Sequence, residues 1–127
     1  MALPQTPDFD VVAIGAGFAG LGLIHSLRDA GFSIRVFDRA SDIGGTWTWN
    51  RYPGAATDSE GYYYCLTFSK EVLDEWSWTE RYPGWEETHR YLHFVADKCG
   101  LWPHIQLSTE IVSADFQEDT CLWRVKT

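Results

Sequence analysis

The sequence predicts an α/β domain, in which helices pack on a parallel sheet and a small antiparallel β layer lies beside it. Three observations predict this fold. The continuous apolar run Val11–Ile14 is typical of a buried parallel strand, and a glycine cluster follows it directly. A helical pattern then leads to a second apolar run, residues 33–37, which ends at Asp38. Alternating apolar residues after residue 105 indicate the antiparallel strands.

The glycine cluster that follows the first strand has the spacing GxGxxG. Gly15 allows the sharp turn out of the strand, Gly17 lets backbone approach a pyrophosphate, and Gly20 lets the next helix pack closely on the sheet. That helix is predicted over residues 18–30, and Gly31 ends it. Its free N–H groups and positive dipole end would face the phosphates. The pattern predicts a Rossmann-like unit; a glycine-rich turn that binds nothing is the alternative.

Asp38 lies about 20 positions after the glycines, where an acid can accept hydrogen bonds from a ribose 2′-hydroxyl. A carboxylate there would repel a 2′-phosphate, so this site favours FAD or NAD over NADP. Arg39 weakens that preference, because an arginine can pair with a phosphate. The other interpretations of Arg39 place it in solvent or over the face of the adenine.

A second glycine pair, Gly44 and Gly45, precedes the alternating segment Thr46–Trp49. The chain is rich in aromatic residues, which make up 16% of it, and most are expected to build the core. Trp47 and Trp49 differ because they directly follow the glycine pair, where they could flank a cofactor ring system.

Composition limits the function. With 127 residues the chain is long enough for one domain, and its net charge of -8 argues against a nucleic-acid partner. The uncharged stretch over residues 11–24 is shorter than the roughly 20 residues that a membrane span requires. Three widely spaced cysteines, Cys65, Cys99 and Cys121, make disulfides and zinc unexpected and favour the cytoplasm. Residues 1–8 carry no secretion signal and are expected to form a flexible tail.

Residues 44–55, which read GGTWTWNRYPGA, resemble the N-terminal FAD domain of Baeyer–Villiger monooxygenases, the class B flavoprotein monooxygenases. The resemblance continues to the last strand and so covers nearly the whole chain. It implies a tightly held FAD, reduction by NADPH, and the use of oxygen to convert a small hydrophobic ketone into an ester or lactone.

The resemblance also implies the residues of the site. Gly15, Gly17 and Gly20 would hold the pyrophosphate, Asp38 the ribose, and the backbone of Ile111 the adenine. The full set of cofactor-contacting positions is Gly15, Gly17, Phe18, Ala19, Gly20, Asp38, Arg39, Gly45, Thr46, Trp47, Thr48, Trp49, Ala56, Thr57, Asp58, Tyr64 and Ile111.

Asp58 is the one candidate catalytic residue. A carboxylate beside the flavin could orient the active-site arginine of the family. The alternative is a turn over residues 57–59, in which Asp58 only caps the next segment. Ala56, Thr57 and Asp58 would lie where the nicotinamide cofactor of the family arrives. Several members of the family have arginine where this chain has Ala56, which puts in doubt only a direct phosphate contact.

The family's FxGxxxHxxxWP segment, its second GxGxxG and its catalytic arginine do not occur in the sequence. We therefore expect residues 9–127 to form a partial FAD- or NAD(P)-binding domain without an NADPH domain, truncated relative to the family and inactive alone. Two other functions stay open. The chain could be a non-oxidative module that binds FAD or a metabolite, or a shortened fold that acts as an isomerase or cyclase on a hydrophobic substrate.

The rest of the sequence predicts a short helix over residues 71–75, capped by Ser69, and a longer one over residues 86–99. His89 and His93 lie four apart on the longer helix, a spacing that suits zinc. No third ligand is apparent, so we expect exposed helix histidines and no metal. The antiparallel strands would leave an open, apolar edge, through which the chain could self-associate.

Overall fold

The computed structural model describes residues 6–127, and the flexible tail expected over residues 1–8 therefore lies largely outside the described residues. Two sheets form. The first is parallel, with the order β1 (Val11–Ile14), β2 (Ile34–Phe37) and β3 (Ile105–Gln106). The second is an antiparallel hairpin of β4 (Ser113–Gln117) and β5 (Leu122–Lys126). The predicted α/β fold is confirmed, including its small antiparallel layer.

Four α-helices accompany these strands in the described part of the chain: α1 (Phe18–Asp29), α2 (Thr46–Trp49), α3 (Lys70–Glu75) and α4 (Trp85–Lys98). Two short 3₁₀ turns cover Gly61–Tyr64 and Trp102–His104. The helix stops were predicted to within a residue, because Gly31 and Gly100 adopt the positive φ that ends a helix. Ser69 caps α3 as predicted, since its hydroxyl accepts a hydrogen bond from the Val72 N–H.

Tyr91 on α4 lies at the centre of the core and is fully buried. The rings of Trp76 and Trp78 pack against it at centroid distances of 5.2 and 4.9 Å. Its hydroxyl accepts a hydrogen bond of 2.6 Å from the Leu66 N–H, which satisfies a loop backbone group inside the core. Burial raises the pKa of Tyr91 to about 12. The other members of the buried cluster come from β2, the four helices and the loops between them: Ala16, Leu21, Ile24, Ile34, Val36, Ile43, Trp47, Val72, Leu92, Val95, Ala96 and Leu101.

The first strand departs from the prediction. β1 was expected to be buried, but it lies at one edge of the three-stranded sheet, beside β2, and Ile14 is 72% exposed. The hairpin also exposes apolar rings, since Phe116 and Trp123 face each other across the two strands at 5.3 Å and remain in solvent. The open edge predicted for the antiparallel layer is therefore accompanied by a second one along β1.

Replacing Tyr91 with phenylalanine removes the acceptor for the buried Leu66 N–H. We expect Tyr91→Phe to lower the free energy of unfolding by about 1–3 kcal/mol, because a buried donor is left unsatisfied. The change should also remove the part of the alkaline loss of stability that deprotonation of Tyr91 causes. The raised pKa of Tyr91 gives a contribution that is complete below pH 10 and is lost as the pH rises towards about 12.

Urea unfolding followed by circular dichroism at pH 7 and across the alkaline range measures both effects. Tyr52→Phe is the matched control, because Tyr52 is 61% exposed and its change should stay within about 0.5 kcal/mol. Equal stability of the two variants would contradict the assigned role of the Tyr91 hydroxyl.

Candidate dinucleotide-binding site

The turn between β1 and α1 has the form that the glycine spacing predicts. Gly15 has φ +102° and donates its N–H to the carbonyl of Phe37 at the end of β2. A Cβ at Gly20 would collide with the Gly15 carbonyl oxygen, so no side chain fits there. Phe18 and Ala19 begin α1, and no side chain caps the helix. The first N–H groups of α1 are thus left for an external acceptor.

The two glycine clusters touch each other. A Cβ on Gly17 would lie 3.4 Å from the Gly45 Cα, and a Cβ on Gly45 would lie 3.1 Å from the Gly17 Cα. Gly44 donates its N–H to the carbonyl of Ala16 at 2.9 Å. Gly45 also has φ +56°, which disfavours any other residue. The fold therefore brings together bare backbone from two segments about 30 residues apart in sequence.

Asp38 lies beneath this contact and is only 8% exposed. Its Oδ2 accepts a hydrogen bond of 2.7 Å from the Ala16 N–H, and its Oδ1 accepts one of 2.8 Å from the Ala40 N–H. The sequence assigned this acid to a ribose, whereas here its carboxylate shapes the glycine turn. Each oxygen keeps a second acceptor position, which is what a ribose hydroxyl would need.

Arg39 and Ile111 are the two residues that the sequence predicted beside the adenine. The Arg39 guanidinium lies over the exposed Trp49 ring at 5.5 Å, and its Nη1 is 3.9 Å from the Glu110 carboxylate. Ile111, the next residue, is half-buried and lines a groove with Ile14 of β1. The Arg39 side chain is 68% exposed, so it lies largely in solvent beside this ring and this carboxylate.

Aromatic side chains from α1, α2 and the 3₁₀ turn Gly61–Tyr64 contact one another. The Tyr64 ring packs edge-on against Phe18 at 5.5 Å and against Trp47 at 5.9 Å. Trp47 is buried because the short helix α2, which the sequence did not predict, turns it inward. Thr46 and Thr48 instead bond locally, Thr46 through its Oγ1 to the side chain of Asn50 and Thr48 to the carbonyl of Ile43. Three of the aromatic residues predicted for the site therefore form one cluster.

Residues 56–58 form a turn beside α4. Ala56 pairs with Gly84 in an isolated bridge, and Thr57 is buried with its N–H bonded to the Pro83 carbonyl at 3.0 Å. The Thr57 hydroxyl donates to the Ser59 carbonyl, as in the turn interpretation of this segment. Asp58 is exposed, and it makes no ion pair with another described residue. Its carboxylate is thus free to meet a group outside the turn.

A second cluster of side chains, formed by Asp42, His89 and His93, was not predicted from the sequence. Asp42, two residues before Gly44, places Oδ2 3.1 Å from His89 Nε2 and Oδ1 2.9 Å from His93 Nε2. The exposed histidines expected on α4 are in fact 16% and 35% exposed, because the loop after β2 covers them. Burial lowers the pKa of His89, although the Asp42 charge opposes this shift. The i, i+4 spacing was visible in the sequence, but Asp42 comes close only in the folded chain.

The chain resembles known proteins over almost its whole length. A family model for an NAD(P)-binding Rossmann-like domain matches residues 14–76. An acetone monooxygenase (methyl acetate-forming) from Gordonia sp. strain TY-5 is 48% identical over 97% of this chain, which covers 23% of that relative. A Baeyer–Villiger monooxygenase from Pseudooceanicola batsensis is 46% identical over 94% of this chain, which covers 22% of it.

Solved structures give the same result. A steroid monooxygenase bound to NADP superposes with a TM-score of 0.90 at 44% identity, over 93% of this chain and 23% of its own. OTEMO in an FAD-bound form superposes with a TM-score of 0.90 at 34% identity, over 96% of this chain and 23% of its own. The chain thus spans under a quarter of the length of these proteins. In the part that the structure describes, no helix is long and apolar enough to cross a bilayer.

The role of Asp38 in shaping the turn can be tested by Asp38→Asn. An asparagine keeps one acceptor oxygen but turns an N–H₂ group towards one of the two backbone donors. We expect a loss of about 2–4 kcal/mol in the free energy of unfolding, because one buried bond is lost and two donors face each other. Urea unfolding measures it. Asp58→Asn is the control and should stay within about 0.5 kcal/mol; equal losses in both variants would refute the structural role of Asp38.

Proposed function

We propose that this chain binds FAD across the contact between its two glycine clusters. The chain belongs to the Baeyer–Villiger monooxygenase family and corresponds to part of the length of its members. The observation that carries the proposal is the approach of Gly17 and Gly45, where a side chain on either residue would meet the backbone of the other. Bare backbone at the start of an uncapped helix suits a diphosphate, which needs close N–H donors and a positive field.

The residues at this contact fit the cofactor. Gly15, Gly17 and Gly20 leave room at the start of α1, where Phe18 and Ala19 present backbone to a diphosphate. Asp38 has acceptor positions left for the ribose. Tyr64 and Trp47 offer apolar rings to the flavin, and the backbone of Ile111 is assigned to the adenine.

The remaining predicted positions have supporting roles in the proposal. Gly45 with Thr46–Trp49 follows the flavin edge, and Arg39 over Trp49 closes the adenine side. Ala56 and Thr57 hold the turn that presents Asp58. We assign Asp58 the positioning of a cationic group at the flavin, since its carboxylate is exposed and unpaired among the described residues.

The activity proposed for the whole protein is the NADPH- and oxygen-dependent conversion of a small hydrophobic ketone into an ester or lactone. FAD supplies the oxygen chemistry when bound, and residues 9–127 bind and orient it. In this proposal the nicotinamide cofactor arrives at Ala56, Thr57 and Asp58, and other groups supply the rest of its site and the substrate site. Relatives named for acetone and for steroids match this chain at 48% and 44% identity, so the similarity of this chain does not favour either substrate.

A cytoplasmic location is part of the proposal. Cys65, Cys99 and Cys121 are all free thiols in the structure, which suits a reducing compartment.

Titration of FAD into the isolated chain tests the proposal, with isothermal calorimetry and the visible flavin spectrum as readouts. We expect saturable binding of one FAD, and a Kd raised at least about tenfold in Gly45→Ala, because the new Cβ occupies the space between the clusters. Gly31→Ala is the matched control. Gly31 also has a positive φ, but nothing lies within 4 Å of a Cβ there, so its Kd should change less than about twofold.

Circular dichroism confirms that each variant is folded before the titration. A folded wild-type chain that takes up no FAD and no ADP would refute the proposal. So would a Gly45→Ala chain that binds FAD as tightly as the wild type.

We also propose that the chain self-associates through the open edge of β1 and the adjoining hairpin face. Ile14 and Trp123 are 72% and 66% exposed, and a groove runs between their strands. Sedimentation velocity should show dimers or larger species that Ile14→Lys with Trp123→Lys converts to monomer, because charges on an edge block strand pairing. Tyr52→Lys, at another exposed ring, should leave the distribution unchanged. A wild type that stays monomeric at all concentrations would contradict this prediction.

A further inference from the structure

We propose that Asp42, His89 and His93 form a binding site for one divalent transition-metal ion of the zinc type. The three side chains each offer a ligand atom, and these atoms all lie within 4.8 Å of one another. Imidazole and carboxylate are the ligands that zinc, cobalt and nickel accept in proteins. Three protein ligands leave one tetrahedral position for water.

The donor atoms lie close enough together to approach one ion. Ligands about 2.0–2.1 Å from a tetrahedral zinc ion lie about 3.3 Å from one another. His89 Nε2 and His93 Nε2 lie 3.1 and 2.9 Å from the Asp42 carboxylate oxygens. The single ligand atoms of the three residues lie within 4.8 Å of one another, so the side chains would close on an ion by rotation about their χ angles.

The backbone holds the donors in place. His89 and His93 lie one turn apart on the 14-residue helix α4, so both rings project from the same face. Their ring centroids are 4.8 Å apart. Asp42 is fixed from the other side, since its Oδ1 accepts a hydrogen bond of 2.8 Å from the Ile43 N–H. Such a bond to a ligating carboxylate is the usual support of a metal ligand.

The histidine nitrogens are otherwise unused. Nε2 of His89 and Nε2 of His93 are both buried, yet neither forms a hydrogen bond of acceptable geometry, despite the short distance to Asp42. Buried polar atoms without a hydrogen-bond partner are uncommon, and a bound ion would give these two nitrogens a partner. The site can be reached from solvent, because both rings also border a shallow surface groove beside Trp76 and Arg90.

Titration of untagged, chelator-treated chain with Co²⁺ and Zn²⁺ tests the proposal. We expect one ion per chain, weak visible d–d bands from Co²⁺ typical of nitrogen and oxygen ligands, and no intense sulfur charge-transfer band. Zn²⁺ at saturation should raise the Tm by about 5 °C, because it binds only the folded chain.

Three variants and one control localise the ion. His89→Gln, His93→Gln and Asp42→Asn should each raise the Kd for Co²⁺ at least about tenfold, whereas His104→Gln, which removes a histidine from a 3₁₀ turn, should change it less than about twofold. Loss of binding in His104→Gln, or a sulfur charge-transfer band, would place the ion elsewhere and overturn the proposal. Equal Kd values in all four variants would do the same.

Wild-type chain alone supplies a measurement that does not depend on the folding of variants. Diethyl pyrocarbonate modifies free imidazoles, and mass spectrometry identifies the modified residues. Zn²⁺ should slow the modification of His89 and His93 and leave the rates at His25 and His104 unchanged. Equal modification with and without Zn²⁺ would overturn the proposal, whatever the outcome with FAD.

Discussion

Ala16 is the point on which the site depends, because both of its backbone groups are held by other segments. Its N–H is bonded to the Asp38 carboxylate at the end of β2, and its carbonyl accepts the N–H of Gly44. The residue is fully buried. One peptide therefore connects the first glycine cluster to the acid and to the second glycine cluster. The close approach of Gly17 and Gly45 follows from these two bonds, since Gly17 and Gly45 are the next residues along each segment.

This arrangement gives the acid a different role from the one that its position suggests. From the sequence, an acid at the end of β2 is expected to bind a ribose, and no role in the backbone of the turn is predicted. In the fold, both oxygens of Asp38 first satisfy backbone donors, Ala16 and Ala40, that would otherwise be buried without partners. A ribose hydroxyl would donate a further hydrogen bond to a carboxylate that already determines the shape of the turn. Binding and folding thus depend on the same carboxylate.

Most of the fold could be predicted because its signals are local. Strand, glycine turn and helix follow one another within 30 residues, and Gly31 and Gly100 mark helix ends through their positive φ. Packing could not be predicted in the same way. The exposure of Ile14 depends on which strands flank β1, and the inward turn of Trp47 depends on a helix of four residues, which has no periodicity to detect. The contact of Asp42 with α4 joins residues almost 50 positions apart, and no local pattern encodes it.

Gly44 is where the dinucleotide site and the histidine cluster meet. Its N–H holds Ala16, and a Cβ on it would lie 2.9 Å from His89 Cδ2, so the glycine turn and α4 leave no space between them. Asp42 precedes this glycine by two residues, and its carboxylate oxygens lie 3.1 and 2.9 Å from Nε2 of His89 and His93. An ion that fixed Asp42 against α4 would therefore fix the same loop whose N–H shapes the cofactor turn. Because linkage is reciprocal, any gain in FAD affinity produced by the ion must be matched by an equal gain in metal affinity produced by FAD. The gain can be no larger than the free energy needed to order the loop over residues 42–45 in the free chain. A loop that is already rigid needs none, and the two ligands would then bind independently.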